Sequence, residues 1–278
     1  MELYDQISYD FSKRLTRKYS TSFSLGIHML DSKFHESIYA IYGFVRIADE
    51  IVDTFHNFDK EKLFRKFCED TYFALDNGIS ANPILNSLQD TVNKFAIDRK
   101  LIDAFLKSME MDLFVSKYDS SNYQEYIYGS AEVVGLMCLK VFCGNDNSTY
   151  EKLTPPARSL GSAFQKINFL RDIKSDYAER GRVYFPGIDF NNFTTDQKKS
   201  IEKEIETELE DAWKGVIQLP KGSKLGVMVA YIYYTTLFKK IRLIPVSQIK
   251  SERIRVNNFE KFFLLIQTWF RYKLNFIK

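Results

Sequence analysis

Four residues, Arg46, Asp49, Glu50 and Asp53, stand in the segment ESIYAIYGFVRIADEIVDTF at 36–55. At about 100° per residue they fall within roughly a quarter-turn of one helix, with Asp49 and Asp53 one turn apart. A second group, Asn168, Asp172 and Asp176, is spaced i, i+4, i+8 inside LGSAFQKINFLRDIKSDY. Gln165 and Gly161 fall on the same side of that helix. Clustered charge usually marks a solvated helix face, and Gly161 either leaves room for a ligand or marks a close helix crossing. In the first group, however, the remaining positions are largely apolar, and three carboxylates face a single arginine. Two amphipathic helices that each carry an acidic ladder make a stronger signal than either alone.

Like-charged carboxylates tolerate one another only when cations are supplied. Oxygen ligands without His or Cys suit hard ions, Mg²⁺ or its substitute Mn²⁺, rather than zinc. Mg²⁺ takes one or two protein carboxylates and completes its shell with water and substrate phosphates. Two facing ladders would therefore clamp a diphosphate, whose neutralised charge makes it a good leaving group. Surrounding aromatic rings would favour the allylic cation left behind.

The elements that must position these ladders read as helices. With 12 Gly and 6 Pro in 278 residues, punctuation is sparse, which favours long helices over many short strands. Apolar residues recur at Ile38, Ile41, Val45, Ala48 and Val52, a helical spacing. The same pattern predicts helices over 60–76, 93–115, 121–143, 157–179, 197–213, 223–241 and 258–275. Breaks are expected at Asp76–Gly78, Gly144–Asn147, Pro155–Pro156, Gly181–Asn192 and Pro220–Gly222. No repeat or flexible linker interrupts the chain. The expectation is one all-α domain over 1–278, with about eight helices.

Composition narrows the function classes. Aromatics reach 15%, with 24 Phe and 17 Tyr, enough to fill a core or to line an apolar tunnel. The net charge of +3 is spread along the chain, without the concentrated basic footprint of a nucleic-acid partner. Three cysteines form no CxxC pair, which points to a reducing, cytoplasmic setting. The N-terminus MELYDQISYDFSKR lacks an apolar signal core, and no run of about 18 apolar residues is expected to span a bilayer. The segment 258–278, NFEKFFLLIQTWFRYKLNFIK, combines aromatics with Lys261, Arg271, Lys273 and Lys278. Such a helix can lie on the inner face of a membrane or pack on the domain with a basic outer surface.

With these motifs in order, the sequence resembles the squalene/phytoene synthases, the head-to-head class of trans-prenyltransferases. The resemblance runs from about Tyr19 to Arg255 and rests on YSTSF (Tyr19–Phe23), YGFVRIADEIVD (Tyr42–Asp53), YIYGSAEVVG (Tyr126–Gly135), QKINFLRDIKSD (Gln165–Asp176) and RVYFP (Arg182–Pro186). SMEMDL (Ser108–Leu113) leans toward the phytoene synthases of bacteria within that family. The resemblance implies a helical isoprenoid synthase fold with a central cavity between two aspartate-bearing helices. It implies that Asp49, Asp53, Asn168, Asp172 and Asp176 ligate Mg²⁺. Arg46, Ser20 and Ser22 would contact phosphate oxygens, with Phe23 and Tyr42 beside them. Tyr126, Gln165, Tyr184 and Tyr234 would line the cavity near the reacting carbons, and Arg171 would be structural.

The implied reaction joins two prenyl diphosphates. One ionises, the other's double bond attacks, and proton loss gives a cyclopropyl diphosphate. That intermediate ionises again, rearranges to a 1-1′ linkage and loses a second proton. The expected substrates are two geranylgeranyl diphosphates, with no NADPH. The alternatives are a squalene or dehydrosqualene synthase using two farnesyl diphosphates, and a non-catalytic lipid-binding scaffold. One departure stands out: Glu132 occupies a position where the family commonly has Gly. The expectation is that it faces away from the cavity and pairs with a basic neighbour.

Overall fold

The computed structural model describes residues 2–274. Regular structure among them is helical: thirteen α-helices and one π-helical turn, with a lone β-bridge between Lys117 and Val183. The chain opens with α1 (Glu2–Tyr19) and α2 (Thr21–His28), neither predicted from the apolar pattern. The reason lies in the face that α1 buries. Ser8, Ser12 and Thr16, at i, i+4, i+8, are buried, whereas Leu3, Ile7 and Phe11 are exposed. These small side chains let α1 lie close against α3 (Ser32–Asp53), where a Cβ on Gly43 would meet Ser12 Oγ at 2.9 Å. The remainder of α3 follows the expected spacing, burying Ile38, Ile41, Phe44, Ala48 and Val52.

Helix α4 (Lys60–Asn77) begins at Asp59, whose carboxylate accepts the Lys62 N–H, and ends at Gly78 in the left-handed region. Where one helix was expected over 93–115 the chain forms two, α5 (Pro83–Phe95) and α6 (Arg99–Phe114). Ala96 turns left-handed between them (φ 48°) and Asp98 caps the second, so the apolar rhythm continues across a real break.

Helix α7 (Ser120–Ile127), the π-helical turn Tyr128–Glu132 and α8 (Val133–Cys143) form one rod. By length and composition this rod is apolar enough to cross a membrane, contrary to the expectation above, but half of its apolar window is buried inside the fold. It crosses α6 at Gly129, where a Cβ would lie 2.4 Å from the Ala104 carbonyl oxygen.

Helix α9 (Asn147–Arg180) runs unbroken through Pro155 and Pro156, where a break was expected. Each proline removes a helical hydrogen bond. The helix persists with Pro156 seated against Gly215, where a Cβ would meet the proline ring at 2.5 Å. Then follow α10 (Thr195–Val216), opened by a capping box between Thr194 and Gln197, α11 (Lys221–Leu243), α12 (Val246–Ile249) and α13 (Asn258–Lys273). Lys278 lies outside the described residues.

Two large apolar cores result, with a small third cluster of Leu139, Leu153 and Leu219. One centres on Phe44, Leu88 and Phe105, the other on Ile167, Ile205 and Leu237. The rod from α7 to α8 contributes to both.

Because the π-helical turn has no room at Gly129, Gly129→Ala should destabilise the chain by about 1–3 kcal/mol through overpacking. A thermal melt should show the midpoint lowered by several degrees. An unchanged midpoint would mean that this crossing does not set the position of the rod.

Candidate active site

The last two turns of α3 carry Arg46, Asp49, Glu50 and Asp53, and the C-terminal half of α9 carries Gln165, Asn168, Asp172 and Asp176. The ladders face one another, because Arg180 spans them: its Nε lies 3.3 Å from Asp53 and its Nη1 lies 3.1 Å from Asp176. Arg182 adds a second brace, donating to Asp53 at 2.7 Å and to the Asp112 backbone carbonyl at 2.7 Å. The segment that bears it is fixed to the end of α6 by a Val183 N–H to Ser116 carbonyl bond of 3.0 Å. At the outer edges Arg46 donates to Asp49 and Glu50 at 3.0 and 2.9 Å, its guanidinium 4.2 Å above the Tyr19 ring. Arg253 lies 2.7 Å from Asp172, which also accepts from Arg171 at 3.0 Å.

The acids are nevertheless short of positive charge. Burial, reinforced by the charge of Asp53, pushes the Asp49 carboxyl well above the ordinary carboxylate range. Its side chain lines the cavity wall and is 37% accessible there. Burial and then the charge of Asp172 raise Asp176 to about 7, against the opposing pull of Arg180. A site that disfavours its own carboxylate charges is one that a cation would stabilise, and the oxygen-only donor set fits Mg²⁺. Among the described residues no three acidic, His or Cys side chains converge into a ready-made cage.

Below the ladders lies a cavity of about 320 Å³. Asp49, Tyr42, Asn168 and Tyr234 stand at its polar end, while Phe142, Leu153, Leu219 and Val227 line its apolar end. Its wall on α9 runs from Asn168 through Gln165, Gly161 and Ala157 to Leu153. The 15 residue steps between them on α9 correspond to roughly 22 Å of helix rise.

Of the residues singled out from sequence, Phe23, Tyr42, Asp49, Tyr126, Gln165, Asn168 and Tyr234 line this cavity. Phe23 stacks on Tyr42 with centroids 3.3 Å apart, and Tyr234 donates to Asn168 Oδ1 at 3.3 Å. Arg46, Asp53, Asp172 and Asp176 stand around the ladders above it. Ser20 caps α2, its hydroxyl oxygen accepting the Phe23 N–H at 3.2 Å, and Ser22 is half-buried beside it. Tyr184 corrects the expectation of a cavity-lining tyrosine. It stacks on Phe169 at 4.0 Å and donates to Asp112 at 3.3 Å, apart from the cavity wall.

Gly161 serves a close crossing with the π-helical turn, where a Cβ would meet the Ala131 carbonyl oxygen at 2.7 Å. Glu132 is buried against α9 and paired with Arg158. Asp112, Arg180 and Arg182 escaped sequence reasoning. Asp112 and Arg182 sit inside the quoted SMEMDL and RVYFP segments, but their partners lie far away along the chain.

A profile of the squalene/phytoene synthase family matches residues 16–255. The chain belongs to the squalene/phytoene synthase family. It is 31% identical over 264 residues to a chloroplastic phytoene synthase of an Oncidium hybrid cultivar, covering 84% of this chain and 61% of that one. It is 30% identical to phytoene synthase 2 of Solanum lycopersicum, covering 84% of this chain and 81% of the relative. The chain thus spans about three fifths of the length of several curated relatives it matches. Among solved structures, a ligand-bound dehydrosqualene synthase superimposes with a TM-score of 0.80 at 22% identity, covering 97% of this chain and 98% of that one. That likeness establishes the shared all-α fold.

The raised Asp176 carboxyl gives a pH prediction. A carboxyl with a folded pKa of about 7 is favoured in its neutral form, so its contribution is full below about pH 4 and lost as pH rises through 7. In metal-free buffer, the melting temperature of Asp176→Asn should exceed that of the native chain at pH 8, and the difference should shrink toward pH 5. A difference that is independent of pH would contradict the electrostatic account.

Proposed function

We propose that this chain is a phytoene synthase, condensing two geranylgeranyl diphosphates head to head for carotenoid biosynthesis. The observation that carries the reading is the length of the cavity. A C20 prenyl tail has sixteen main-chain carbons and extends about 20 Å, a C15 tail about 15 Å, at roughly 1.25 Å of advance per zigzag bond. The apolar wall from Asn168 to Leu153, at roughly 22 Å, accommodates the longer tail with its diphosphate at the ladders. The similarity to named phytoene synthases over most of the chain supports the same choice.

In this reading Asp49, Asp53, Asn168, Asp172 and Asp176 hold Mg²⁺, or Mn²⁺ in its place. The bound ions supply charge neutralisation for the departing diphosphate. Arg46, with Ser20 and Ser22 at the start of α2, orients phosphate oxygens. The apolar walls exclude water that would quench a carbocation. The stacked pairs Phe23–Tyr42 and Phe164–Tyr234 offer π faces to the positive charge. No NADPH is required, since the reaction ends in proton loss. The protein acts in the cytoplasm at the membrane surface, where α13 presents exposed Phe259, Phe262, Phe263 and Phe270 beside Arg271 and Lys273.

Incubation with Mg²⁺ and C20 diphosphate, without NADPH, should yield phytoene by mass. Asp53→Ala or Asp172→Ala should each lower the yield at least about 100-fold. A C30 product from C15 diphosphate alone would make the chain a squalene or dehydrosqualene synthase. No hydrocarbon from either substrate would favour a lipid-binding scaffold.

A second test reads the tunnel directly. Ala157 stands on the wall 11 residues from Asn168, or roughly 16 Å. Ala157→Phe should cut turnover of the C20 substrate by about 100-fold or more while sparing the C15 substrate, because a shortened pocket rejects surplus carbons. Equal losses on both substrates would disprove the assignment of the apolar end.

A further inference from the structure

Near the end of α6, Asp112 is buried and surrounded by three phenols. It accepts from Tyr126 at 2.7 Å, from Tyr118 at 3.2 Å and from Tyr184 at 3.3 Å, and it faces Arg182 at 3.4 Å. The tyrosines pack together, with Tyr118–Tyr126 centroids 4.9 Å apart and Tyr126–Tyr184 centroids 5.1 Å apart. A carboxylate that only anchored the chain after α9 would need Arg182 and one phenol. Here the three phenols differ in what lies on their far side. Of the three, only Tyr126 lines the apolar cavity.

The other side of Asp112 faces a separate cleft. That cleft, of about 230 Å³, is also lined by Asp53, His56, Lys60, Arg180 and Arg182. His56 and Phe114 on its rim are exposed, so the cleft reaches solvent. Asp112 and Tyr126 therefore form a hydrogen-bonded link from the apolar cavity to a polar surface cleft.

We propose that Asp112 acts through Tyr126 as a proton outlet for the carbocations formed in the cavity. The C–H bond beside the cationic carbon breaks and its electron pair becomes the new π bond or ring bond. The proton goes to the Tyr126 hydroxyl oxygen as the phenol's own proton passes along the 2.7 Å bond to Asp112 Oδ2. The neutral Asp112 carboxyl then releases that proton to water in the cleft, restoring both groups. No oxidant or reductant enters. Tyr126 is the group that touches substrate, and Asp112 is a positioning and accepting residue behind it. Asp112 Oδ1 faces Arg182 at 3.4 Å while Oδ2 takes the Tyr126 bond, so the oxygen that accepts the proton is the one turned to Tyr126. The groups facing it are Tyr118 and Tyr126 from α7 and its approach, Tyr184 and Arg182 from the chain after α9, and Asp53 from α3.

This inference rests on the prenyl-condensation reading, in which each of the two stages ends in proton loss. The test is steady-state kinetics of the full chain with C20 diphosphate and Mg²⁺. Asp112→Asn keeps the shape and an acceptor for Tyr126 but cannot take a proton. It should lower kcat about 100-fold with KM changed by less than about threefold. Tyr126→Phe should lower kcat by a similar factor, and the double variant should lose no more than either single one. Tyr118→Phe, which removes a comparable bond to the same carboxylate, should keep kcat near that of the native chain. If Asp112→Asn fails to fold, Tyr126→Phe against Tyr118→Phe decides alone. Equal losses for those two tyrosines, or native kcat in Tyr126→Phe, would overturn the proposal. An inactive native chain would instead overturn the reading beneath it.

Discussion

Carboxylates on α3 and α9 stand close enough for one arginine, Arg180, to touch both Asp53 and Asp176. Left to themselves these charges would drive the two helices apart, and burial makes the repulsion harder to screen. The surrounding structure answers that repulsion in layers. Arg180, the last residue of α9, bridges the gap, Arg182 braces Asp53 from the chain that follows α9, Arg46 braces the α3 side, and Arg171 with Arg253 braces Asp172. Even so, Asp49 and Asp176 stay well above the ordinary carboxylate range. The arginines hold the ladders in register without fully neutralising them, which leaves the site able to accept further positive charge.

The apolar cavity follows from a different constraint, close approach of helices. Gly129 and Gly161 let the π-helical turn lie against α6 and α9, and Gly226 brings α11 against Leu30 and the Gly26 carbonyl oxygen. The wall on α9 from Leu153 to Asn168 gives the cavity its long dimension. A long, narrow, apolar space capped by acids suits a molecule with one charged head and one hydrocarbon tail. The Tyr126–Asp112 bond gives a proton released against the cavity wall a path away from it.

Local spacing explains what the sequence could and could not reveal. Both acidic ladders were legible because i, i+4 neighbours share a helix face whatever the rest of the chain does. The brace between Arg182 and Asp53 joins residues 129 positions apart, and no local pattern encodes it. Asp112 stood alone, without a second acid one turn away to mark it. RVYFP signalled an aromatic near the site, but the stacking of Tyr184 on Phe169 decides which side of the wall it occupies. Helix α1 was invisible because its apolar residues point outward and its serines inward, the reverse of the pattern that periodicity rewards. Pro155 and Pro156 misled in the opposite direction, since a break rule based on the backbone cannot see the glycine that receives the proline ring.

Helix α9 carries opposite loads on its two faces, and this explains how the ladder keeps its aim. On one face it carries Gln165 and Asn168 at the cavity wall and Asp172 and Asp176 in the ladder above it. On the far side Lys166, almost wholly buried, pairs with Glu204 and Glu208 of α10, and Ser162 donates to Glu208 at 2.7 Å. Lys166 lies two residues from Asn168, about 200° around the helix, so the two contacts pull in nearly opposite directions. Removing a partner from a buried ion cluster leaves an uncompensated charge, which makes the rear anchor costly to break. Repulsion at the front would otherwise rotate or shift α9. The rear cluster and the Pro156–Gly215 contact resist that motion along most of its length, and the acidic face stays turned toward α3.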